Sequence, residues 1–213
     1  NVTHPAVRAS AFALVILIIA SMTLFAAGLD YGRPLPEYSA STVQSAWLNG
    51  ATVFHPDAFA YVGIGYRMMV HDYYLPSYYH NPSLNIYTDI ALFWLSGALA
   101  LPHNSAYGDR EIAPFSLYVM AEFLSALFTL LGVALAYAVG RTAFDDRRVG
   151  VVTAALVAFS PLSVQHAHYA TPNAETITFA TAALLLGFVI LKQKQPRLIV
   201  YLLGGLLIGL TAS

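Results

Sequence analysis

Between Ala11 and Leu29 the chain runs without a charged residue, and its only polar side chains are Ser21 and Thr23. About 20 mostly apolar residues are what a helix needs to cross a hydrocarbon core of about 30 Å. In that solvent every backbone N–H and C=O must be satisfied internally, and a helix lets one continuous segment do so. The run 11–29 therefore reads as a first transmembrane helix. A secretory signal peptide is the alternative, but its apolar core usually holds roughly 7 to 15 residues, and no convincing small-x-small cleavage signal follows this one.

Four further runs repeat the pattern: 115–140, interrupted only by Glu122, then 149–165, 176–191 and 198–212. Only 10% of the residues are charged, against about 25% in an ordinary soluble domain. The fold class expected is thus an all-α membrane protein of about five transmembrane helices. With a net charge of -1 and no long basic block, nothing points to nucleic acid as a partner. The absence of cysteine excludes disulfides, thiolate metal sites and cysteine nucleophiles. No internal repeat is evident. The chain starts at Asn1 rather than Met and stops at Ser213 directly after an apolar run, which reads as a single membrane domain, 1–213, cut from a longer protein.

Lys and Arg collect on the cytoplasmic side of short loops. Arg8, then Arg141, Arg147 and Arg148, then Lys192, Lys194 and Arg197 fall in three segments that five alternating spans place on one face. They make seven of the ten basic residues. The opposite face receives 30–114 and the loop from His166 to Glu175, with six of the seven histidines and eight of the eleven acids. The expectation is an integral plasma or inner membrane protein with a cytoplasmic N-terminus and its chemistry outside.

The long extracytoplasmic loop, 30–114, is unlike a linker: it holds Trp47, Trp94 and many tyrosines. Leu84 to Leu101 is apolar enough for a re-entrant or membrane-surface helix. Leu84, Tyr87, Ile90, Ala91, Trp94 and Leu95 recur at helical spacing, with Asn85, Thr88 and Asp89 off that face, so an interfacial helix lying flat is expected. Tyr73, Tyr74, Tyr78 and Tyr79 suit an interfacial aromatic belt, or less simply a platform for a sugar or peptide.

Asp57 is the most suggestive acid. It follows Pro56 at the start of a helical stretch expected to reach Met69, where an acid serves as a helix cap or as a catalytic base. A second polar segment, Ser163 to Glu175, lies on the same face of the membrane and can converge with it. His166 and His168 are two apart, a spacing more often used for interfacial hydrogen bonding than for a metal. Thr171 or Asn173, followed by Glu175, also reads as an ordinary helix start. Glu122 sits about two turns inside its span, roughly 10 Å deep; an intramembrane acid is a functional candidate unless it snorkels to the surface.

These pieces resemble the C-type integral-membrane glycosyltransferases, the superfamily of protein O-mannosyltransferases and aminoarabinose transferases. The resemblance is carried by Gly28-Leu-Asp-Tyr-Gly-Arg-Pro-Leu35, His55-Pro-Asp57 and Tyr79-His-Asn-Pro-Ser-Leu-Asn-Ile-Tyr87. Gly140-Arg-Thr-Ala-Phe-Asp-Asp-Arg-Arg-Val-Gly150 and Pro161-Leu-Ser-Val-Gln-His-Ala-His-Tyr-Ala-Thr-Pro-Asn173 continue it in the same order and spacing, over essentially the whole chain. It implies the N-terminal half of an enzyme that moves a sugar from a polyprenyl-phosphate donor to an extracytoplasmic acceptor. Membrane lipid and the polyprenyl-phosphate-linked sugar would be its partners, and a divalent cation its candidate cofactor, with no metal ligand assigned.

In the family's first loop an Asp-Glu pair supplies the general base, and Asp57 stands at the aspartate while Ala58 replaces the glutamate. The later Thr-Pro-Asp has become Thr171-Pro-Asn173. The resemblance therefore makes Asp57 the catalytic candidate, with His55, His166, His168 and Asn173 as substrate-binding candidates. The competing class is a catalytically silent scaffold or accessory subunit working with other membrane subunits. A transporter ranks below both, because the spans carry so little polarity.

Overall fold

The computed structural model describes residues 5–29, 55–76, 83–96 and 115–212. Among them all regular structure is helical: α1 (Pro5–Ala26), α2 (Pro56–Val70), α3 (Leu84–Leu95), α4 (Phe115–Phe144), α5 (Arg147–Ala158), α6 (Pro161–Ala167), α7 (Asn173–Lys192) and α8 (Leu198–Ala212). The chain divides into two compact units. One comprises Asn1–Ala27, Ala126–Ala167 and Asn173–Ser213; the other comprises Gly28–Ser125 and His168–Pro172.

The first unit is built from helices fit for lipid. Among the described residues three helices, α1, α4 and α7, are long and apolar enough to cross a membrane, and a fourth crossing results if α5 and α6 count together. Little of α1 and α7 is covered: 22% and 17% of their apolar windows are buried within the chain. Phe12, Ile16, Ile19, Leu184 and Leu191 stand at least half exposed, which water would penalise and hydrocarbon does not. Five spans were expected. The third, 149–165, is a pair of helices bent by 61°, because Ser160 precedes Pro161 and a residue before proline is pushed out of the helical region. The fifth, α8, has 15 residues, a rise of about 22 Å.

Within this unit α7 packs on α8, and α1 lies against α5 and α6. The α4–α5 turn is local chemistry. Asp145 takes a left-handed φ of 55° that ends α4, and the Asp146 side chain accepts a hydrogen bond from the Arg148 N–H at 2.7 Å to cap α5. Asp145 also pairs with Lys192 at the end of α7, so the basic turn 141–148 and the basic turn after α7 occupy one end of the unit. Further along, α4 and α5 touch backbone to backbone. A Cβ on Gly150 would sit 2.8 Å from the Tyr137 carbonyl oxygen, and one on Gly140 would overlap Thr153 and lie 3.1 Å from the Gly150 Cα. The Thr178 hydroxyl shares its proton between its own-helix Ala174 carbonyl at 2.8 Å and the Phe128 carbonyl of α4 at 2.7 Å, tying α7 to α4.

The second unit has a core formed by α2, α3, the first turns of α4 and Ala170. Ala58, Tyr61, Val62, Ile86, Ile90, Phe93, Leu117, Tyr118 and Ala121 all bury there. Gly65 lets α3 approach, its missing Cβ facing Ile86 and Ile90 at 3.5 to 3.7 Å. The helix expected to run from Asp57 to Met69 is present as α2. Helix α3 forms as expected from Leu84, and its outer face carries Tyr87, Ala91, Trp94 and Leu95. Ile90 departs from the expected greasy face and is buried. Asn85 and Asp89 do not look outward: they are 2% and 0% exposed, on the stripe packed inward with Ile86 and Phe93. The reason is register. Once Ile86, Ile90 and Phe93 meet α2 and α4, positions 85 and 89 must follow them inside. Trp47, Tyr78, Tyr79, most of Gly28–Leu35 and residues 97–101 lie outside the described residues.

The Gly150 contact gives a sharp expectation. Gly150→Ala should lower thermal stability in detergent by about 1–3 kcal/mol through overpacking. Gly187→Ala, where nothing lies within 4 Å of the added carbon, should leave it unchanged or raise it. Paired melts of the two variants check this.

Candidate active site at the start of helix α2

Helix α2 opens in an unusual way. His55 is its N-cap, with extended backbone angles, and the His55 Nδ1 accepts a hydrogen bond from the Asp57 N–H at 3.2 Å. The Ala58 N–H then donates to the His55 carbonyl at 3.1 Å, and Pro56 fills the first helical position, where a missing N–H costs nothing. An imidazole nitrogen that accepts a backbone proton carries none of its own. The neutral ring therefore keeps its proton on Nε2.

Asp57 sits in the first turn, its side chain 53% exposed, with one carboxylate oxygen 3.8 Å from His55 Nδ1. With the neutral ring accepting at Nδ1, that proximity is not an ion pair. The acid complements the helix dipole and still offers open oxygen lone pairs outward. The next residue faces the other way: Ala58 is 1% exposed, inside the core that also holds Ala170.

The later segment reaches the same unit. The rings of His55 and Tyr169 lie 4.8 Å apart, tilted by 46°, and His168 and Pro172 bracket that contact in sequence within the unit. A tight turn follows, the Thr171 N–H donating to the Tyr169 carbonyl at 2.8 Å. So His55, Asp57 and His168 belong to the second unit. His166 and Asn173 belong to the first: His166 lies in the last turn of the short helix α6, and Asn173 is the exposed first residue of α7.

His166 lines a cavity of about 230 Å³ bounded by α4, α5, α6 and α7. Ser163, His166 and four threonines are its polar lining, and Thr153, Thr178 and Thr181 spend their hydroxyl protons on carbonyls of their own helices; the rest is Gly, Ala, Val, Ile and Leu. An apolar lining of this kind excludes water and suits hydrocarbon.

Three buried acids complete the polar inventory. Glu122 is 4% exposed, on a stripe of α4 with Leu117, Tyr118, Ala121 and Ser125, so it turns into the protein instead of snorkelling. Asp89 and Glu175 are buried as well. Glu175 was expected as a first-turn acid and is one, but its burial was not legible. Tyr169 was missed altogether: nothing local in His-Ala-His-Tyr-Ala marks it. Among the described residues no group of three or more His, Asp or Glu side chains is placed to hold a metal.

The described residues form an all-helical integral membrane protein, with the His55 cap and the exposed Asp57 carboxylate at the head of α2. Residues 115–212 match the family of dolichyl-phosphate-mannose-protein mannosyltransferases. This bears out, over those residues, the resemblance to the C-type superfamily of integral-membrane glycosyltransferases. The matched stretch contains the 140–150 turn and the 161–173 segment and begins after Asp57. No curated protein and no solved structure matches the chain.

The cap geometry predicts how His55 responds to substitution. Asn caps helices well and Ala does not. His55→Ala should destabilise α2 by about 1 kcal/mol, while His55→Asn should restore most of that loss. Hydrogen exchange at the first-turn amides of α2 reads the difference.

Proposed function

We propose that the chain is the N-terminal part of a glycosyltransferase that moves a sugar from a polyprenyl-phosphate donor to a hydroxyl of an extracytoplasmic acceptor. The observation that carries this reading is the exposed Asp57 carboxylate, held at a capped helix start in the same unit as the 168–172 segment. It stands in a chain whose residues 115–212 match a mannosyltransferase family.

The acceptor oxygen attacks the anomeric carbon, and the bond from that carbon to the donor phosphate breaks. The bonding pair leaves with the phosphate, and the acceptor proton passes to Asp57. The donor phosphate needs hydrogen-bond donors as it gains charge. On this reading His55 Nε2–H and His168 of the second unit are assigned to the substrates, while His166 and Asn173 lie in the first unit and are substrate-binding candidates by the resemblance alone. The apolar cavity at His166 suits part of a lipid chain. The basic turns 141–148 and 192–197 share one end of the first unit, which supports reading that end as cytoplasmic.

A catalytically silent scaffold subunit is the second reading, and one observation favours it. The carbon at position 58, where the family carries a glutamate, is a methyl packed in the core, and Asn173 is an amide that cannot act as a base.

Transfer from a radiolabelled polyprenyl-phosphate donor pool in membranes separates the two. On the enzymatic reading Asp57→Asn at equal expression should lower transfer by about 10²- to 10⁴-fold. If neither the wild-type protein nor the variant transfers sugar with authentic donors present, the scaffold reading takes its place.

A further inference from the structure

We propose that Tyr169 is a positioning residue: it holds the His55 imidazole in one orientation, so that Nε2–H and the Asp57 carboxylate form a fixed pair. The inference rests on the reading of Asp57 as the base.

A ring held by one hydrogen bond can leave it by rotating about its Cβ–Cγ bond, and Nδ1 then need not stay the unprotonated nitrogen. The Asp57 N–H anchors His55 at Nδ1 at 3.2 Å, and by itself that bond leaves such rotation open. The Tyr169 ring, 4.8 Å away and tilted by 46°, lies within the range of favourable aromatic pairs and removes that freedom. Hydrogen bond and ring contact together determine where Nε2–H points.

The contact does not depend on a swaying loop. Tyr169 is followed by Ala170, and Asp57 by Ala58. Both alanines are essentially fully buried, at 0% and 1% exposed, in one core cluster. The backbones on either side of the ring pair are therefore pinned to the same packed interior, and interiors are too dense to let them drift. The turn closed by the Thr171 N–H on the Tyr169 carbonyl fixes the approach of the ring.

A neutral donor in a set direction, next to a carboxylate, is what an oxygen acceptor on an incoming substrate requires. A histidine free to rotate would spend much of its time with that proton elsewhere.

The test uses the whole chain in lipid bilayers with nitrogen-15-labelled histidine. The His55 signal is identified by its absence in His55→Asn. Wild type and Tyr169→Phe should show one neutral Nε2–H tautomer. Tyr169→Ala should show a mixture, and Tyr169→Leu, which keeps bulk without an aromatic face, should do the same if the alanine variant fails to fold. In parallel, kcat for transfer from dolichyl-phosphate-linked mannose should fall about tenfold in the alanine and leucine variants, with KM unchanged.

A single tautomer and an unchanged kcat in the folded alanine or leucine variant overturn the proposal. A mixed tautomer with unchanged kcat shows that Tyr169 orders His55 without serving the reaction, and overturns the positioning role alone. No transfer by the wild-type protein, with an ordered His55 signal, defeats the Asp57 reading and the role that rests on it.

Discussion

Hydrocarbon forgives no unpaired backbone polar group, and that constraint governs the first unit. Away from their ends, the peptide groups of α1, α4 and α7 close their hydrogen bonds within their own helices. Side chains are then free to be apolar on nearly every face, as the exposed isoleucines and leucines of α1 and α7 show. With no hydrophobic gain from helix association inside lipid, close packing and a few polar ties must bring helices together. Gly140 and Gly150 do the first for α4 and α5, and the Thr178 hydroxyl does the second for α7 and α4.

The second unit obeys a different economy. Its interior resembles that of a soluble domain, with Tyr61, Phe93 and Tyr118 around small residues at the crossings. That core has a chemical consequence at α2. By drawing Ala58 and Ala170 inward it turns Asp57 outward and sets Tyr169 against His55. The exposure of Asp57 and the His55–Tyr169 contact are thus products of packing. The acid that the superfamily carries next to its base would have to be buried at position 58, and this chain has a methyl there instead.

How much of this was legible depends on the range of the interaction. Charge-free runs mark α1, α4 and α7, because crossing hydrocarbon demands length and apolarity that survive in one dimension. The start of α2 at Pro56 and the cap at Asp146 follow from neighbouring residues alone. The 61° break between α5 and α6 was readable at Pro161 but was passed over, since an apolar run continues on both sides of it. Helix α3 shows the opposite limit. An apolar residue stands on almost every side of it, so periodicity could not decide which stripe packs inward, and the stripe chosen took Asn85 and Asp89 with it.

The linear order of residues determined the solvent of this protein, its long apolar helices and Asp57 as the acid at the start of α2, because each of these is settled within a turn or two of chain; the cap of α2 is His55 and not Asp57. Only the tertiary structure decided that Tyr169 meets His55, that Ala58 shares a core with Ala170, and that Asp89 and Glu122 are buried. Those outcomes depend on which distant surfaces touch, and a touch between positions 55 and 169 leaves no trace in the spacing of either segment.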